Sequence, residues 1–551
     1  MGKKDIPQKN NKPELTKPEN SKRFWLFAGL IVILFVAIVG HEFGRPFYGM
    51  HSWAQASGAW AARSHVKYGL DYTKGCSTWA VGMPPKENPE RYWDHPQLNV
   101  LVASGFMKIF GINEWSLQLA DILISAPALL VFMLMVRDIA NARLALLSGF
   151  IYVMFPLTGY FSMGGWPVFM GFLSMWLYLI LSGHTQRKIR KIYYVILAAS
   201  LFLAVQFSWT GFFFAMAIGI HYVFTCIFNK KMPNWTLFII LAAAPILSML
   251  LNFTVMAAGY GWDLNKISTL YKWRSAKGEM EAVMQHGFNW SAWFARMWEH
   301  ASTNFTIPGL IIAIAYFILA PFVILTLPKD KNQKKDLQYP CFWLFFLVPF
   351  FQLFILKGCL WQHQTWELPL APFLAIAIAM ACLSLGQVLK LANKHLAFAV
   401  QLLLLGVLAV SCFFGTKYYY DIRWQPEAKI EFFKKLNKQI PPDKSLLSFE
   451  DFIVNQNEAK GGFYRPEIAW YLDREITPAQ TYEQVKQLAA ANRYPVYICP
   501  AVQELRELIN QLAQEYPYEL VSGVNGETTK NGKFLKAGMY PYVIFYLTGK
   551  K

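Results

Sequence analysis

The sequence predicts a polytopic α-helical membrane protein of about eleven crossing helices, with a small soluble α/β domain at its C-terminal end. Three observations predict this. Of 551 residues, 55% are hydrophobic and 17% aromatic. Only 16% are charged, against about 25% in soluble domains. The apolar residues run in blocks of the length that a bilayer requires, about 20 residues per helical crossing, and these blocks stop near Gly415.

Residues 1–23 are polar, proline-bearing and basic, and read as a cytoplasmic tail. Residues 24–40 form the first crossing, retained as an anchor because no small-residue cleavage site precedes His41-Glu42. A polar outer loop follows over 42–99. Further crossings are expected at 115–136, 144–162, 167–182, 192–208, 210–228, 236–258, 305–327, 341–356, 367–386 and 396–415, with a second outer loop at 259–304. Counted alternately, the clusters RDIANAR, HTQRKIRKI, NKKMPNW, PKDKNQKKD and LKLANKH all fall on one side, the cytoplasmic side by the positive-inside rule. Residues 24–419 are thus the expected transmembrane domain. Residues 420–551 alternate amphipathic stretches with short apolar runs, which predicts a compact α/β domain on the outer side.

The formal net charge of +18 does not imply nucleic acid as a partner, because the charge lies mostly in short clusters between apolar blocks, where it anchors and orients crossings. Seven cysteines show no metal-ligand spacing, and Cys226, Cys341, Cys382 and Cys412, in or beside apolar blocks, read as buried small hydrophobes. The chain contains no GxxxxGK[ST], GxGxxG, HExxH or GxSxG motif that would carry soluble cofactor or nucleotide chemistry.

Candidate chemistry concentrates in the outer loops. The stretch from Met50 to about Tyr68 reads as an amphipathic helix on the membrane surface, with His51 and Gln55 on one face and Arg63 further along. Asp94-His95-Pro96 stands at the mouth of the bundle, where reduced solvation would raise the carboxyl pKa and suit Asp94 to general-base work. Glu42, at the outer end of the first crossing, is the second carboxylate of this kind. Lys357 and His363, in a short outer turn, suit an anionic phosphate. Within the crossings Asp121 is the clearest charge, and on its own it says little about an ion path.

Four motifs in order resemble the GT-C-type glycosyltransferases, in the group of protein O-mannosyltransferases and bacterial aminoarabinose transferases. They are the first-loop helix MHSWAQASGAWAARSHVKYG, the carboxylate-x-Pro segment DHPQLNVLVASGFMKIFG, the helix pair around VRDIANAR, and HQTWELPLAP. The resemblance covers most of the chain. It implies an inverting glycosyltransferase that moves a sugar from a polyprenyl-phosphate carrier to a lipid, glycan or protein acceptor at the outer face of a bacterial plasma membrane. It also implies a first-loop carboxylate as base, often assisted by a divalent metal. The family's acidic pair at the start of the first-loop helix is replaced here by His51-Ser52, and its Pro-Asp after the third crossing by Trp166-Pro167-Val168. The expected base is therefore Asp94, then Glu42. His51 and His95 would position the acceptor or a metal, and Arg63, Lys357 and His363 would hold the donor phosphate. The alternative reading is a transporter or flippase of a lipid-linked substrate.

Overall fold

The computed structural model describes residues 21–549 apart from 90, 163–164, 231, 278–287, 327–338, 425–426, 451, 454–462, 492, 526–528, 531–532 and 535–539. The expected tail therefore lies outside the described residues except for its last three, which begin α1 (Ser21–Val39). Every expected crossing is occupied by apolar helix. These are α1, then α4 (Glu114–Ile139), α5 (Ala142–Met154) with α6 (Pro156–Phe161), α7 (Gly165–Leu181), α8 (Ile192–Phe207), α9 (Trp209–Phe228) and α10 (Trp235–Gly259). They continue with α13 (Ile307–Thr326), α14 (Tyr339–Ile355), α16 (Ala371–Ala392) and α17 (Lys394–Asp421), with the shorter α11 (Leu264–Arg274) and α15 (Lys357–Gln362) in the segments that connect them. Among the described residues six helices are long and apolar enough to cross alone, and a seventh if the bent pair α12 (Trp290–Phe305) and α13 counts as one span. The expected crossing at 144–162 is broken: Phe155 takes ψ 133° ahead of Pro156, the extended conformation a following proline enforces.

Asparagine starts many of these helices. Asn113, Asn141, Asn234 and Asn289 each accept a hydrogen bond from a backbone N–H in the first turn of the helix that follows, and Asn393 accepts two. Such caps satisfy donors that an apolar environment would leave unpaired. At one end of the bundle Asp138 pairs with Arg187 and accepts from Trp176 Nε1 at 2.8 Å, while Arg137 lies 4.5 Å over the Phe24 ring. Three helix ends carrying basic clusters are thereby joined there.

The opposite end carries the site. There α2 (Ser52–Thr73) lies against α3 (Leu98–Phe110), and β1 (Ser77–Thr78) pairs antiparallel with β2 (Arg91–Tyr92). The C-terminal unit is an α/β structure with a five-stranded sheet. Its strands are β3 (Leu446–Ser448), β4 (Ile476–Pro478), β5 (Val496–Pro500), β6 (Tyr518–Asn525) and β7 (Tyr540–Tyr546), in the order β4-β3-β5-β7-β6. The first three are parallel and β7 runs antiparallel to both neighbours. Residues of β3 and β5 are buried throughout, as central strands covered on both faces must be. Helices α18 (Glu427–Gln439), α19 (Pro466–Leu472), α20 (Tyr482–Ala489) and α21 (Arg506–Glu515) accompany it.

One apolar core joins this unit to the first loop. It holds Phe47, Ala59, Trp60 and Ala62 together with Ile468, Trp470, Tyr471 and Ile498. The first-loop helix is therefore buried on one side by the C-terminal unit, instead of lying on a membrane surface.

Candidate active site

Beneath α2 the structure holds three connected hollows. The first, about 450 Å³, is lined by Gln55, Gly58, Asn99, Asp121, Trp166 and Trp366 among others. A second, about 370 Å³, shares Gly58, Asn99 and Trp366 with it and reaches His95 and Trp79. A third, about 230 Å³, shares Gln55 and Asp121 and reaches Arg45 and Tyr160. The small residues of α2 leave this room, because Ala54 and Gly58 face it. Trp166 and Phe207 stack at 5.1 Å and 10° to form part of an apolar wall. Polar groups convergent on an apolar cavity of this size are what a small-molecule site requires.

The residues expected from the sequence are distributed unevenly around it. Asp94 is buried, 4% exposed, and its carboxylate accepts from the Tyr260 hydroxyl. Its main-chain oxygen accepts from Trp209 Nε1 at 3.1 Å and from both terminal nitrogens of Arg274 at 3.3 Å. Burial pushes its carboxyl up to about 6, with Arg274 acting against the shift. That agrees with the expected direction, but Asp94 lines none of the three hollows. His95 does line the second and packs edge-on against Tyr92 at 5.2 Å. Burial, then Arg274, holds its imidazole well below the usual histidine range. As a metal ligand it has no companions: among the described residues no three His, Cys, Asp or Glu side chains converge to hold a cation.

His51 does not share a helical face with Gln55. It precedes α2 in the left-handed region, φ 54°, and its ring packs against Trp424 at 4.6 Å, Phe161 at 5.6 Å and His363 at 5.7 Å. Burial pushes its pKa down to about 3, with His363 and His300 adding to the effect, and burial alone takes His363 to about 4. Neutral imidazoles packed on aromatic rings are weak phosphate ligands.

Arg63 is likewise committed elsewhere. Its guanidinium donates to the Trp470 and Ala469 carbonyls at 2.6 and 3.0 Å, pairs with Asp473 at 3.4 Å and lies 4.8 Å over the Trp470 ring. It fastens α19 to α2 and does not face the hollows. Lys357 rests over the Phe288 and Trp290 rings at 4.3 and 4.7 Å, a cation–π position. Glu42 ends a short 3-10 turn, Gly40–Glu42, and its side chain lies outside the described residues. Asp121, Gln55 and Arg45 line the hollows without having been expected there. The available signal was Asp121 itself, a carboxylate in an apolar crossing segment.

Residues 94–249 match the family model described as dolichyl-phosphate-mannose-protein mannosyltransferase. A search of curated protein sequences finds no match. Among solved structures the chain is similar to ArnT from Cupriavidus metallidurans bound to undecaprenyl phosphate, with 12% identity, a TM-score of 0.55, and coverage of 96% of this chain and 98% of that one. It is similar also to the apo oligosaccharyltransferase of Archaeoglobus fulgidus, with 11% identity, a TM-score of 0.54 and coverage of 94% and 75%. The fold is that of GT-C-type glycosyltransferases. The matched segment, 94–249, runs from Asp94 through Asp121 to α10. It thus contains part of the cavity lining, whereas α2, Trp366 and the C-terminal unit lie outside the match.

Proposed function

We propose that this protein is a glycosyltransferase that takes a hexosyl or pentosyl group from a polyprenyl-phosphate carrier and passes it to an acceptor hydroxyl at the outer face of a bacterial plasma membrane. The observation that carries this is the cavity under α2, which combines an apolar wall with a carboxylate and a guanidinium. It lies in a fold shared with ArnT, which was solved with undecaprenyl phosphate bound. A lipid-linked donor is apolar along its tail and anionic at its phosphate, and such a boundary cavity accommodates both. Arg45, at the edge of the third hollow, takes over the phosphate-holding part expected of Arg63 and Lys357. A guanidinium suits that part through paired N–H donors. The shared fold favours transfer over transport of the same lipid-linked substrate. The divalent metal implied by the resemblance finds no set of three ligands among the described residues, and the chemistry proposed uses the chain's own side chains.

The test is transfer of radiolabelled sugar by the purified full chain in proteoliposomes, offered dolichyl-phosphate mannose and undecaprenyl-phosphate-linked sugars. Release of free polyprenyl phosphate with label in an acceptor is expected. Movement of intact labelled lipid across the vesicle without sugar transfer would replace this reading with the transporter.

A further inference from the structure

We propose that Asp121, not Asp94, is the catalytic base that takes the proton from the acceptor hydroxyl. The inference rests on the transferase reading above. Asp121 lines both the first and the third hollow, so it stands where the two join. Asp94 lines neither, and its carboxylate is already engaged by Tyr260. Among the described residues Asp121 has no hydrogen-bond or ion-pair partner of its own, which leaves its oxygens open to the cavity.

Its position suits the task. Asp121 is seven residues into α4, which begins at Glu114, so it lies about 10 Å along the helix from its start at 1.5 Å per residue. The first residue of α7, Gly165, sits against it in the left-handed region, φ +65°; a Cβ there would come within 3.4 Å of Asp121 Oδ1. Gln55, from α2 above, lines the same two hollows and offers an amide to orient a hydroxyl beside the carboxylate. An ionisable group placed in a crossing segment is costly to keep there without use.

In the reaction the acceptor oxygen attacks the anomeric carbon and its proton passes to an Asp121 oxygen. The bond from the anomeric carbon to the phosphate oxygen breaks, and the electron pair leaves with the polyprenyl phosphate. Asp121 then returns the proton to water.

The experiment compares wild type, Asp121→Asn, Asp121→Glu and Asp94→Asn as full chains in the transfer assay above. Melting temperature and undecaprenyl phosphate binding are measured on each. Asp121→Asn is expected to bind the lipid phosphate and melt as wild type does, while kcat falls by about 10²–10⁴-fold, the usual share of a general base. The donor KM stays unchanged, and the acid limb of the kcat–pH profile disappears from the residual rate. Asp121→Glu recovers part of the rate and keeps the acid limb, which decides the matter if the Asn variant does not fold. Asp94→Asn loses less. A folded Asp121→Asn with wild-type kcat overturns the inference while leaving the transferase intact. A wild type that transfers from no donor overturns the transferase reading, and the base with it.

Discussion

At the scale of single residues, burial and partner choice separate the candidates more sharply than residue type does. Arg63 and Arg45 look alike in sequence, yet Arg63 spends its donors on the Trp470 and Ala469 carbonyls while Arg45 faces a hollow. Nothing in the first loop announces this, because the partners of Arg63 lie more than four hundred residues away in the chain. Asp473 keeps Lys67 as a partner, so replacing Arg63 by Met should destabilise the fold by about 1–3 kcal/mol, the penalty for leaving the buried Trp470 and Ala469 carbonyls without their donor. It should appear as earlier proteolytic release of the C-terminal unit. His51 yields a second prediction. Its folded pKa, about 3, lies below the ordinary 6.5, so the folded state binds fewer protons. Its stabilising contribution is present above pH 6.5 and is lost as pH falls toward 3. Between pH 7 and 5 that loss is about 2 kcal/mol. Thermal melts of wild type should therefore fall further over this interval than those of His51→Asn; parallel curves would contradict the assignment.

At the scale of elements, what was legible in sequence followed length and periodicity. Apolar blocks of bilayer length mark every crossing, and the runs that became β3, β5 and β7 stand out because central strands are apolar on both faces. The edge strands β4 and β6 were not legible: Ile476–Pro478 is only partly buried, and Tyr518–Asn525 alternates with polar residues. The interruption at Phe155 had a visible signal in Pro156. Asp94 as the expected base followed from the order of motifs, whereas the place of Asp121 depends on how α4, α7 and α2 come together, which no linear spacing records. Close approach also fixes the turn before α3. A Cβ on Gly259, the last residue of α10, would lie 2.2 Å from Trp93 Cδ2. Gly259→Ala should displace Trp93 and the Asp94-His95 turn behind it. The expected loss is about 1–3 kcal/mol, as for other overpacked sites, together with a red-shifted tryptophan emission.

At the scale of the whole molecule, the two ends of the bundle differ in chemistry. One gathers Arg137, Asp138 and Arg187, and the other carries the cavities and the α/β unit. With the basic end inside, as the positive-inside rule predicts, the C-terminal unit is expected on the outer side. A C-terminal alkaline phosphatase fusion should be active in a bacterial host, and a cytoplasm-dependent reporter at the same point should be silent. The reverse pattern would turn the bundle over and put the proposed transfer on the wrong face.

The grip of α19 on the first loop reaches beyond stability. Ser52 donates to Glu467 at 2.7 Å, the Phe47 N–H to Tyr471 at 2.6 Å, and Lys67 to Asp473 at 2.7 Å. The roof of the cavity is thus a composite of two stretches that stand more than four hundred residues apart. Recombination that joined this bundle to a C-terminal unit from another lineage would break that composite, unless residues from Phe47 to Lys67 travelled with it. For anyone building chimaeras, the heritable module is α2 plus the C-terminal unit, and a crossover point placed between them cuts through one piece.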